Sequence, residues 1–300
     1  MDFEVAAEGL AFPEGPVALA DGTVLLVEMR RQTLSRVLPD GRVEVVAQLG
    51  GGPNGVALGP DGAAYVCNNG GRFYLDGSRP QGPHGGAPPE HVGGSIQRVD
   101  LASGAASTLY ESCGERRLLA PNDLVFDREG GFWFTDHGRA DAQGLKYGAL
   151  FYARPDGSQI RLALDYLFSP NGVGLSPDER TLYLADTRTA RVWAFPLAAP
   201  GELADPAAAR VLGVMPRQEL LDSLAVMENG QVCVATMMSG GLAIFGDEGL
   251  VEHILAPDPA VTNICFGGAD MRDAWITAAG TGRLLRARWP AAGLALNFPQ

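Results

Sequence analysis

Six short segments of this chain carry side chains suited to chemistry, and all six are variants of one pattern. They read Pro13-Glu14-Gly15, Pro53-Asn54-Gly55, Pro121-Asn122-Asp123, Pro170-Asn171-Gly172, Leu221-Asp222-Ser223 and Thr262-Asn263-Ile264. The central residue is an acid or an amide each time: Glu14, Asn54, Asn122, Asn171, Asp222 and Asn263. Two carboxylates and four amides form a set of hard oxygen donors, with no cysteine or histidine among them. Such a set suits Ca²⁺, Mg²⁺ or Mn²⁺ better than structural zinc. A cation held this way, with open positions, polarises a carbonyl and activates a water. Any one copy alone reads better as a residue that starts a strand or holds a turn. Six aligned copies, two of them acids, favour a metal site.

The surrounding repeats must position these residues. Each copy leads into a short apolar run, and in four of them a turn glycine follows, at Gly22, Gly62, Gly130 and Gly230. A second short strand comes next, as in Thr23–Met29, Ala63–Asn69, Gly131–His137, Thr181–Thr187, Gln231–Met237 and Asp273–Ala279. Further hairpin turns fall at Asp40-Gly41, Ser103-Gly104, Asp156-Gly157 and Glu248-Gly249. These dipeptides supply the positive φ that tight hairpins need. Helical patterns are nearly absent; Leu203–Val211 is broken by Pro206 and reads as a loop. Six such units predict an all-β, six-bladed β-propeller with four antiparallel strands per blade. The last unit lacks an outer strand, and Phe3–Ala6 is expected to supply it and close the ring. A solenoid would need polar caps, which neither terminus provides. The expected organisation is one domain, residues 1–300, with an insertion at Gly70–Gly94 between the second and third units.

In a propeller the first strand of each blade lines the channel. The six acids and amides are expected just before that strand, pointing to the axis at what we call the upper face. The second strands end at the same face with Glu28, Asn68, Asp136-His137, Asp186 and Thr236, predicting a second, wider polar ring. The insertion at 70–94 is placed to act as a lid or specificity loop.

Composition sets bounds. Hydrophobic residues make up 46% of the chain, ample for a core. The net charge of −12 disfavours nucleic acid. No apolar stretch is long enough to span a membrane. The acidic start, Met1-Asp2-Phe3-Glu4, does not look like a signal or transit peptide, so a cytoplasmic location is expected. The expected state is a monomer or small homo-oligomer. Cys67, Cys113, Cys233 and Cys265 form no C-x-x-C pair and read as free thiols, the three in strand patterns as buried ones. The sole lysine, Lys146, has no setting for Schiff-base chemistry.

Other motifs carry less. Gly50-Gly51-Gly52-Pro53-Asn54-Gly55 matches G-x-G-x-x-G but precedes a strand, not a helix, so a dinucleotide site is rejected. No G-x-S-x-G elbow occurs. His84 and His91 sit in a Gly/Pro-rich loop and read as loop residues. His137 beside Asp136 reads as a substrate contact, a proton shuttle or a structural hydrogen bond. Trp133, Trp193, Trp275 and Trp289 fall in or at the end of strand patterns and read as core.

The chain resembles the senescence-marker-protein, gluconolactonase and luciferin-regenerating-enzyme family. The residues that carry the resemblance are Phe12-Pro13-Glu14-Gly15-Pro16, Pro121-Asn122-Asp123, Ser169-Pro170-Asn171-Gly172 followed by Asp178 and Leu182–Asp186, and Leu221-Asp222-Ser223. It implies a six-bladed propeller with one divalent cation in the channel and hydrolysis of a small-molecule lactone. Carried over by position, it implies metal ligands at Glu14, Asn171 and Asp222, and a role for Asn122 in binding either substrate or metal. Asp222 is then also the candidate base or nucleophile, with Asn122 as its catalytic companion. Asn54, Asn122, His137 and Asn263 are the expected substrate contacts. Ca²⁺ is the first expectation, with Mn²⁺, Mg²⁺, Zn²⁺ or Fe²⁺ as alternatives. One departure is Ala120, where animal members place an arginine; Arg117 is out of register. That leaves a less polar lactone open. Two other readings of the same site are a phosphotriester hydrolase and a propeller that binds Ca²⁺ or a small ligand without turnover.

Overall fold

The computed structural model describes residues 1–71, 91–141 and 144–298. Among the described residues, six antiparallel sheets follow one another along the chain, five of four strands and one of five, with two small two-stranded ribbons beside them. The inner strands are Pro13–Ala18, Pro53–Leu58, Pro121–Phe126, Pro170–Leu175, Leu221–Val226 and Val261–Gly267, defining blades 1 to 6. Each touches the inner strand of the next blade, and the sixth touches the first. The protein is therefore a six-bladed β-propeller.

The turns form where the sequence places them. Gly22, Gly62, Gly130 and Gly230 in the first hairpins, and Gly41, Gly104, Gly157 and Gly249 in the second, all have positive φ. The N-terminal strand, Glu4–Ala7, pairs antiparallel with Arg283–Arg288 and completes blade 6, as expected. Ring closure thus covers an edge that would otherwise stand open. The only helical element within Leu203–Val211 is a short 3₁₀ turn at Pro206–Ala208, and Arg210–Val214 adds an outer strand to blade 4.

The core is divided rather than central. Six buried clusters lie between adjacent blades, one per interface. The one between blades 2 and 3 is the most aromatic, joining Tyr65, Phe126, Phe132 and Phe134, with Phe134 stacked on Phe151. Trp133 and Trp289 are fully buried, whereas Trp193 and Trp275 are half-buried. Cys67, Cys233 and Cys265 are free and buried, and Cys113 is free and half-buried. Burial pushes the three buried thiols up, Cys265 to about 12, so none is a ready thiolate.

Of the residues expected in a second ring, Glu28, Asn68, Asp136 and Asp186 are latches instead, and Thr236 bonds His253 within its own blade. Glu28 accepts from Ala11 N at 2.8 Å, Asn68 from Gly52 N at 2.8 Å and Asp186 from Ser169 N at 3.3 Å. Asp136 accepts from Leu119 N at 2.6 Å, Ala120 N at 2.8 Å and Gly138 N at 2.9 Å. Each ties the loop entering an inner strand. In blades 5 and 6 the polarity is reversed. Glu219 and Asp258 lie just before the inner strand and accept from Met238 N and Thr281 N, just after the second. The position that faces inward is one residue further along: Met29, Asn69, His137, Thr187, Met237 and Ala279. Each of these donates its backbone N–H to the carbonyl of the residue preceding the inner strand.

Beyond blade 6 the chain crosses the lower face. Leu294 N donates to Val226 O in blade 5, and Asn297 Nδ2 donates to Phe126 O in blade 3. Phe298 packs edge-on against Phe126 with centroids 5.8 Å apart. This strap underlies a channel cavity of about 540 Å³.

The latches generate a stability prediction. Asp136→Ala orphans three backbone N–H groups, each costing about 1–3 kcal/mol when buried. Denaturant unfolding should show a loss of about 3 kcal/mol or more, with Asp136→Asn falling between. A loss within about 0.5 kcal/mol would show that the latch is ornamental.

Candidate functional site

The six central residues of the repeats gather at the channel. All are buried: Glu14 is 1% exposed and Asn263, the most open with Asn122, is 5% exposed. They stand within their strands, as the second residue in five cases and the third in Val261–Gly267, rather than before them. A shift of register adjoins or straddles this position in every blade, between Glu14 and Val17, Pro53 and Val56, Pro121 and Leu124, Pro170 and Val173, Leu221 and Leu224, and Val261 and Asn263. Each strand therefore bends where its polar residue faces the axis.

Close approach explains the glycine that follows in blades 1, 2 and 4. A Cβ on Gly55 would lie 2.6 Å from Asn122 O, and one on Gly172 would lie 2.6 Å from Leu224 N. Threonine hydroxyls also bond adjacent blades to one another. Thr135 Oγ1 donates to Asn171 O at 2.6 Å, and Thr262 Oγ1 donates to Pro13 O at 3.0 Å.

The ring members differ in what they touch. Asn171 Nδ2 donates to Thr187 Oγ1 at 3.1 Å, and Asn171 also bonds Asp222. Asn263 Oδ1 accepts from Ile264 N at 2.7 Å while its side chain bonds Glu14. Asn263 thus positions a carboxylate. Asn54 Oδ1 and Asn122 Oδ1 are buried and, among the described residues, accept no hydrogen bond. His137 is buried beside the ring, its backbone held by Ala120 O at 2.9 Å. His84 and most of the expected lid, 72–90, lie outside the described residues. His91 is buried and within 2.8 Å of Asn69 O through Nε2.

A third carboxylate joins the two foreseen. Asp123 is 7% exposed and occupies the place that glycine holds in blades 1, 2 and 4. Its Oδ1 accepts from Leu124 N at 2.9 Å, and it bonds Val173 N in blade 4 and the Ser223 side chain in blade 5. It therefore reaches across the channel, where it lines the lower cavity with Asn263. The visible signal was the tripeptide itself: Pro-Asn-Asp where its neighbours have Pro-Asn-Gly.

Electrostatics tie the three acids together. Burial, then the charges of Asp222 and Asp123, hold the Glu14 carboxyl well above the usual range. Burial and the charge of Asp123 push Asp222 up to about 7, against hydrogen bonds from Asn171 and Ser223 N. Burial likewise raises Asp123 to about 7. Among the described residues no trio of His, Cys, Asp or Glu side chains is arranged to hold a metal alone. A cation here would draw on amide oxygens as well, and two such oxygens lack partners. Buried carboxylates with raised pKa values beside unpaired amide oxygens fit a hard divalent cation.

Fold and site together define a six-bladed propeller with an axial cluster of acids and amides. Residues 12–280 match the SMP-30/Gluconolactonase/LRE-like region, and the chain belongs to that family. It is 26% identical to a gluconolactonase of Zymomonas mobilis over 88% of this chain and 75% of that protein. It is 30% identical to the lactonase drp35 of Staphylococcus saprophyticus over 85% and 72%. The crystal structure of a gluconolactonase from Xanthomonas campestris superposes with a TM-score of 0.76 at 26% identity, covering 96% of this chain and 89% of that one.

If the three acids repel one another, removing one should relieve the chelator-treated protein. Asp123→Asn keeps an acceptor for Leu124 N and deletes a buried charge. Its melting temperature without divalent cations should rise by a few degrees, about what 1 kcal/mol gives a chain of this size. A fall would mean that Asp123 is held mainly by its hydrogen bonds.

Proposed function

We propose that this chain is a lactonase, one propeller domain over residues 1–300, that opens a lactone ring by hydrolysis. A divalent cation, Ca²⁺ first, is held by Glu14, Asn171 and Asp222 with Asn122. The observation that carries this reading is the cluster of three buried carboxylates beside the unpaired amide oxygens of Asn54 and Asn122. Relatives named gluconolactonase and lactonase support the reaction class.

When bound, the cation polarises the lactone carbonyl and makes water a better nucleophile. The chain's residues do the rest. Asp222, oriented by Asn171 and Ser223 N, takes the proton of the attacking water. The hydroxide adds to the acyl carbon, and the bond from that carbon to the ring oxygen breaks. Asp222 returns the proton to the departing oxygen, leaving a hydroxy acid. Asn54 and Asn122 orient the ring, His137 contacts the substrate from the outer position, and Asn263 holds Glu14 in place. Burial of the whole set keeps bulk water from competing for these bonds.

The test is a pH-stat assay on a lactone panel and a phosphotriester panel, before and after chelation. Chelation should abolish lactone opening and Ca²⁺ should restore it. Asp222→Asn should lower kcat by about 10²–10⁴ with a smaller effect on KM. Full activity after chelation, or unchanged turnover in Asp222→Asn, would refute the mechanism. Turnover of phosphotriesters alone would replace the substrate class, and tight Ca²⁺ binding without any turnover would make this a binding propeller.

A further inference from the structure

One group of exposed rings sits on the upper face. Tyr147, Tyr166 and Phe168 are 45%, 77% and 41% exposed. Tyr147 is the hub, with its centroid 6.0 Å from Tyr166 and 6.2 Å from Phe168. Their positions follow from the strand order of blade 3. Tyr147 immediately precedes its third strand, Gly148–Ala153, and Tyr166 and Phe168 flank the end of its outer strand, Ile160–Leu167. Both points lie on the face where the inner strands begin.

The chain ties the cluster to the channel mouth at two points. Phe168 is followed by Ser169, Pro170 and Asn171, so the chain carries it no further than about 11 Å from that ring member. On the other side, the backbone of Tyr147 packs on Gly138, next to His137; a Cβ at Gly138 would lie 2.8 Å from Tyr147 C.

The exposure is maintained at a cost. Tyr166 has a φ of 60°, a left-handed conformation that bulky side chains avoid. Asp165 Oδ1 accepts from Tyr166 N at 2.8 Å, and Asp165 is itself paired with Arg116 at 2.5 Å. A built turn thus presents a tyrosine to solvent where asparagine or glycine would sit more easily. Strain of this kind gathers at functional positions.

The ring geometry selects the ligand chemistry. Tyr147 meets Tyr166 at 68° and Phe168 at 58°. Such rings offer no shared flat platform for a sugar face. They form an angular apolar wall, suited to an alkyl or aryl group. We propose that this wall receives the hydrophobic substituent of the substrate, so that the preferred substrates are alkyl- or aryl-substituted lactones rather than polyhydroxylated ones. The proposal rests on the lactonase reading.

The experiment uses γ-lactones bearing methyl, butyl and octyl groups, together with D-glucono-δ-lactone. Wild type, a Tyr147→Ser/Phe168→Ser double variant and Tyr166→Asn, which suits the left-handed turn, are compared. A fully buried methylene is worth roughly fourfold, and this open wall should give about a tenfold gain in kcat/KM from methyl to octyl. The gain should appear in KM and shrink to about twofold in the variants, with the methyl lactone unaffected. Saturation-transfer NMR with the octyl lactone and chelated protein reads binding without turnover, and should saturate the chain-end protons in wild type but not in the variants. Loss of all turnover with saturation retained would sink the lactonase reading and leave the apolar wall standing. A flat chain-length series, no saturation of the chain end, or variants that alter only the oligomeric state would overturn the proposal.

Discussion

Three carboxylates share one dehydrated region on the propeller axis. Removing even one charge from water costs several kcal/mol, and like charges placed together add to that. Glu14, Asp123 and Asp222 accept this cost, as their raised pKa values record. A folded chain keeps such an arrangement only if the rest of the structure over-determines it. The three acids come from blades 1, 3 and 5, so no local element can hold them together. The closed ring does so.

The rigidity of that ring has two sources. In blades 1, 2 and 4 the neighbouring inner strand lies so close that glycine is required at the contact, and threonine hydroxyls bond across blades. In addition, each blade latches the loop that enters its inner strand. In four blades a residue at the end of the second strand accepts backbone N–H groups from that loop, and in blades 5 and 6 the acid sits on the loop instead. The register of each axial side chain is thereby fixed by bonds that are buried or partly buried. This is the preorganisation that a cation or an acyl centre would exploit. Family membership places the chain among propellers that include gluconolactonases and lactonases, and the axial cluster is where the chemistry of such a protein would reside.

Much of this was legible in the sequence because repetition multiplies weak signals. One Pro-Asn-Gly says little, but six aligned copies separated by Asp-Gly-type turns specify blades, ring and channel. Closure by the N-terminal strand followed from counting strands in the last unit. Other features resisted for physical reasons. Glu28, Asn68, Asp136 and Asp186 read as ring members because their partners are backbone N–H groups some sixteen positions away, which no side-chain pattern displays. Strand alternation then moves the inward face to Met29, Asn69, His137 and Thr187. Asp123 was hidden in plain view as a carboxylate at a glycine position. The strap ending in Asn297 and Phe298 has no sequence signature, since it is defined only by what it crosses. The Tyr147 cluster is likewise assembled from two separated loops.

The central claim is that the axial acids and amides form a divalent-cation site. It is tested most directly by anomalous diffraction from crystals grown with Mn²⁺. The account predicts one strong peak in the channel, with oxygens of Glu14, Asn171 and Asp222 within about 2.6 Å. No peak at saturating Mn²⁺, or a peak away from these three side chains, would contradict it.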